Sequence, residues 1–96
     1  MNESERDKII VASWQIHAAI ENSYLNHSAV KGDSEWLEKQ RLLLADMAIH
    51  LLQTALKPGA INLEKLTNNL HAVLTITDQF LPDAKLKKAT ENLYQN

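Results

Sequence analysis

The chain is expected to be all-α, a small antiparallel bundle of three long helices plus a short C-terminal helix, and three observations point there. Apolar residues recur at intervals of three and four over most of the length, the period of a helix face and not of a strand. Only two glycines and two prolines interrupt the 96 residues. These four divide the chain into segments long enough for helices and stand beside capping residues. At 10.9 kDa the chain has room for a single helical-bundle domain over 1–96, near the size at which one core becomes self-sufficient.

Helix one is predicted over 4–29, with Ile9, Ile10, Ile16, Ile20 and Tyr24 on its buried side and Lys8, Gln15, Asn22 and Asn26 outside. Lys31-Gly32-Asp33-Ser34 follows, where glycine closes one helix and Asp33 or Ser34 caps the next. Helix two is predicted over 34–57 and stops at Pro58-Gly59, with Lys57 suiting the negative end of the helix dipole. Asn62 is a good N-cap for helix three, predicted over 63–81, and Ile61 and Leu66 hold the positions of a hydrophobic staple. Leu63, Leu66, Leu70, Val73, Leu74, Thr77, Phe80 and Leu81 fall on its core side. Glu64, Asn68, His71, Thr75 and Asp78 fall opposite, on a face that needs no partner. Pro82 ends this helix, and Asp83 caps a last one over 84–94, a lid carrying Leu86, Ala89 and Leu93.

Helix two is more apolar than one core requires. Its leucines, alanines, Met47 and Ile49 leave a polar strip of only Lys39, Asp46, His50, Gln53 and Lys57. The apolar arc spans roughly 260°, against a minimum of about 100° for a helix resting on one core. Such a helix is either central or covered from outside. Leu42, Ile49 and Leu56 recur every seven residues along the side expected to face outward, a spacing that suits pairing with another helix.

Charge and composition exclude several function classes. Ten basic and twelve acidic residues are interleaved at a net −2, so no basic face for nucleic acid assembles. Lys85, Lys87 and Lys88 are spread around their helix by its rotation of about 100° per residue and read as solvated. No apolar run approaches the roughly 20 residues of a membrane span. The polar, acidic stretch from Met1 to Lys8 does not read as a signal peptide, and the lack of cysteine removes disulfides and thiolate sites. A cytoplasmic chain without membrane contact is expected.

Four histidines raise the question of a metal. His17 with Glu21, and Asp46 with His50, each stand four apart and share a helix face. The rotation places Asp46 and His50 on the polar strip of helix two and His71 on the polar face of helix three. Only His17 projects from an apolar arc, between Ile10 and Tyr24. No metal site, no cofactor site and no catalytic set is therefore expected, and His17 reads as structural. The segment His27-Ser28-Ala29-Val30-Lys31-Gly32 resembles the phosphorylated motif of histidine phosphotransfer domains. Its lysine and glycine come four and five residues after the histidine, where that family has three and four. The extra residue rotates the lysine away by about 100°. Low glycine content excludes P-loops and nucleophile elbows.

The expected function is a non-enzymatic protein–protein interaction or regulatory module that self-associates through helix two. The expected contact residues are Leu42, Ile49, Leu56 and Trp14, tryptophan being enriched among partner anchors. Two alternatives stand beside it. One is a helical-bundle enzyme or a ligand or metal carrier using the interior near His17 and Tyr24. The other is an immunity-type or antiactivator protein that binds a foreign partner.

Overall fold

The computed structural model describes residues 1–94. Four α-helices follow one another: α1 (Glu3–Leu25), α2 (Trp36–Leu56), α3 (Leu63–Thr77) and α4 (Leu86–Asn92). A 3-10 turn over Pro82–Ala84 stands before the last. The predicted fold class is what the structure shows. No helix among the described residues is long and apolar enough to cross a membrane.

Local chemistry sets most of the boundaries. Asn2 and Asn62 cap α1 and α3, each accepting a backbone N–H three residues on, at 2.8 and 3.0 Å. Gly32 and Gly59 have φ of 102° and 91°, the left-handed region that lets the chain turn back after α1 and α2. Several expected ends shift. Helix α1 stops at Leu25 because the next residues turn locally, with His27 Nδ1 accepting the Ala29 N–H at 3.2 Å. Asp33 does not cap α2; its carboxylate accepts the Val30 N–H at 2.9 Å and braces the loop, and the helix begins at Trp36 without a side-chain cap. Helix α3 ends at Thr77, ahead of the predicted residue 81, since Pro82 forces Leu81 out of the helical region. The expected Asp83 cap is likewise displaced. Asp83 lies in the 3-10 turn, and α4 is entered through Lys85 in the left-handed conformation, with φ of 56°.

Helix α2 packs against both α1 and α3, and α3 carries α4. Cross-helix bonds fix the directions. Ser13 meets Gln53, His17 meets Asp46, and Lys39 reaches over Tyr24, so α1 and α2 are antiparallel. Trp36 meets Gln79 and Thr54 meets Asn69, so α2 and α3 are antiparallel too. The result is a shallow layer with principal extents of 45 × 37 × 16 Å. Its radius of gyration of 15.2 Å exceeds the ~12.5 Å of a compact chain this long.

A layer this thin encloses little. Among the described residues no large side chain is fully buried, and Ala29 and Ile76 are the buried apolar residues. Ile76 is not among the residues expected on the core side of α3, whereas Leu63 and Leu81, which are, stand largely exposed. Ile16 is exposed as well, against expectation, because α1 has a neighbour on one side only. The outer face of α3 is not free: the Tyr94 hydroxyl donates to Asn68 at 2.8 Å and its ring meets His71 edge-on at 5.5 Å.

Candidate functional site

The polar strip of α2 turns inward, toward α1. Gln53 Nε2 donates to Ser13 Oγ at 3.1 Å, and Ser13, only 2% exposed, donates in turn to the Ile10 carbonyl at 2.6 Å. Further along, Lys39 Nζ donates to the Ala29 carbonyl at 3.2 Å and stands 4.9 Å from the centre of the Tyr24 ring. A helix interior normally satisfies its backbone and sends polar side chains to water. Here those side chains have found one another, and the seam between the two longest helices is hydrogen-bonded along most of its length.

The centre of the seam is a cluster of ionisable groups. His17 Nδ1 lies 2.5 Å from Asp46 Oδ1, and His17 Nε2 lies 2.9 Å from Glu21 Oε2. His50 Nε2 lies 3.4 Å from the other Asp46 oxygen. Asp46 is 7% exposed, which makes it the most buried charged residue described. The His17 and His50 rings meet at 4.9 Å, and Trp14 sets its ring edge-on to His17 at 5.7 Å. One ligand atom from each of His17, Asp46 and His50 lies within 4.8 Å of the others.

The histidines are thus not all kept apart by helix rotation, contrary to what the sequence leads one to expect. Rotation along α2 correctly puts Asp46, His50 and Gln53 on one side, but that side meets α1 and not solvent. His17 projects from the apolar arc of α1 as expected, and its partner is the carboxylate that periodicity had assigned to water. Glu21, one turn beyond His17, completes the group. His71 stays outside it, against Tyr94, and His27 serves a turn.

Of the expected contact residues, Trp14 meets this cluster at the His17 ring. Leu42, Ile49 and Leu56 are each half-buried on α2, without the enclosure of a core position. Trp14 is 54% exposed and borders, with Ile10, His50, Gln53, Thr54 and Asn69, a cleft of about 790 Å³. Val11, Trp14 and Leu25 share one flank of α1 by helical rotation, and all three are exposed. The apolar sides of α1 and α2 are thus covered only in part. No family model, no curated protein and no solved structure matches the chain.

Proposed function

We propose that the chain is a non-enzymatic protein–protein interaction module that pairs with a second copy of itself through the outer side of α2. The observation that carries this reading is the area left open. The chain exposes 6865 Å². A compact monomer of 10.9 kDa exposes about 5,600 Å². The excess, about 1,300 Å² per chain, falls in the range that each subunit of an obligate homodimer buries, about 1,000–2,500 Å².

The composition of the open side supports the same reading. Leu37, Ala45, Ala48, Leu52 and Ala55 lie on the arc of α2 turned away from the Asp46 strip, Ile49 stands at the edge between that arc and the strip, and Arg41 and Glu38 are the charges interrupting the arc. A two-fold axis lets one such patch serve both subunits. A cytoplasmic setting accords with the lack of cysteine.

Light scattering across a range of protein concentrations tests the proposal. The wild type is expected at twice the 10.9 kDa chain mass, and Ile49→Glu at the single-chain mass with its helices retained by circular dichroism. A wild type that stays at the single-chain mass up to hundreds of micromolar, together with an Ile49→Glu chain that unfolds, overturns it. That outcome makes α2 only the centre of the layer.

A further inference from the structure

We infer that His17, Asp46 and His50 form a binding site for a divalent transition-metal ion of the zinc class, with Glu21 as the outer carboxylate that orients His17. The inference concerns a site built within one chain, so it stands or falls independently of self-association.

The arrangement of charge comes first. Both ring nitrogens of His17 face carboxylates, Nδ1 toward Asp46 at 2.5 Å and Nε2 toward Glu21 at 2.9 Å. A neutral imidazole carries hydrogen on one nitrogen only and presents a lone pair at the other. A lone pair held against a carboxylate oxygen is repulsive unless positive charge lies between them. Either a second proton or a metal ion meets that need. Glu21 and Asp46 together bring two negative charges, which a divalent ion balances and a single proton does not.

His50 decides between the two. A proton shared by His17 and Asp46 has no use for a third group. Yet His50 Nε2 is aimed at the free Asp46 oxygen from 3.4 Å, too far for a strong hydrogen bond. Bonds of ~2.0–2.1 Å to a tetrahedral ion set the ligand atoms about 3.3–3.4 Å apart. The His50–Asp46 separation already has that value. That distance is to Asp46 Oδ2, so for one oxygen to serve both histidines the His17 ring, now facing Oδ1, must turn toward Oδ2. All three ligand atoms begin within 4.8 Å of one another, so side-chain torsions suffice.

The ligand set selects the ion. Two imidazoles and one carboxylate suit zinc, nickel, copper or iron and do not suit calcium or magnesium, which take oxygen. Glu21 accepts the Nε2 hydrogen of His17, fixing the tautomer that leaves Nδ1 free to ligate, the carboxylate–histidine–metal relay of many zinc proteins. Three protein ligands leave one position for solvent or for a group from outside. Because His17 belongs to α1 and the other two to α2, a bound ion ties the helices together at the middle of their seam.

The test titrates zinc chloride into the chelator-stripped full-length chain by calorimetry. One ion per chain is expected, accompanied by a rise in melting temperature. His50→Ala, at a half-exposed position where folding should persist, is expected to abolish stoichiometric binding. Glu21→Gln is expected to weaken it by about 10–100-fold, and His71→Ala to leave it unchanged. Cobalt(II) gives a second readout, with the intense visible bands of four-coordinate ligation in the wild type. Absence of one-to-one binding, binding undiminished in His50→Ala, binding lost in His71→Ala, or a cobalt spectrum like that of the aqueous ion each overturns the inference.

Discussion

Removing Asp46 tests whether the polar seam holds the hairpin together. In Asp46→Ala, His17 loses the carboxylate 2.5 Å from its Nδ1, and His50 loses its neighbour at 3.4 Å. Deleting one member of a buried charged pair costs about 3–5 kcal/mol when the other is left without a partner. The side chains of His17 and Asp46 keep 17% and 10% of their exposure, and Glu21 still stands 2.9 Å from His17 Nε2. The loss should therefore fall to about 2–3 kcal/mol. With a urea slope of about 1.5 kcal/mol per molar, the unfolding midpoint drops by about 1–2 M. Far-UV circular dichroism measures this at one fixed protein concentration, since association makes stability depend on concentration. A chelator in the buffer keeps metal out of the comparison. Asp46→Asn, which retains an acceptor oxygen, should lose only about 1 kcal/mol. In a double-mutant cycle, His17→Ala and Asp46→Ala should deviate from additivity by more than about 1 kcal/mol. A loss below about 0.5 kcal/mol for Asp46→Ala is what an exposed surface site gives, and it would refute the inward-facing strip.

Two further substitutions probe the ends of helices. Asn62→Ala removes the acceptor for the Lys65 N–H at 3.0 Å and should lower stability by about 0.5–2 kcal/mol, read from thermal or urea melts; an unchanged melt would mean that α3 does not depend on this cap. Lys85 carries φ of 56° without being glycine, so Lys85→Gly should relieve the left-handed backbone and raise stability by about 0.5–1 kcal/mol, with a loss of stability as the contrary result.

What was legible in the sequence is punctuation. Pro58, Gly59 and Gly32 act through their own backbones and Asn62 through a side chain that reaches three residues on, so their positions fix the turns and the α3 start whatever packs around them. Asp33 misled because one carboxylate has two local options, a cap on α2 or a brace on its own loop, and spacing alone does not separate them. The α2 strip misled for a deeper reason. Periodicity assigns Lys39, Asp46, His50 and Gln53 to one side of a helix, but which side meets a neighbour follows from tertiary pairing. Polar residues on a helix ordinarily mean water, and here they mean α1. His17 was singled out correctly, as a polar group on an apolar arc. Its partner stands 29 residues away on another helix, and no local rule joins the two.

The hydrogen-bonded seam also determines how the hairpin is aligned. In a seam of leucines, one side chain serves about as well as the next one a turn away, and sliding costs little. If α1 moves by one turn, about 5.4 Å, the residue opposite Asp46 becomes Glu21 in one direction and Ser13 in the other. The first sets two carboxylates face to face, and the second leaves a buried carboxylate before an uncharged hydroxyl. Either slip also takes Ser13 from Gln53 and Tyr24 from beneath Lys39. The seam is a key with one setting, cut in side chains that contribute little apolar burial. The outer side of α2 has few such teeth, so the register of any surface laid against it must come from shape.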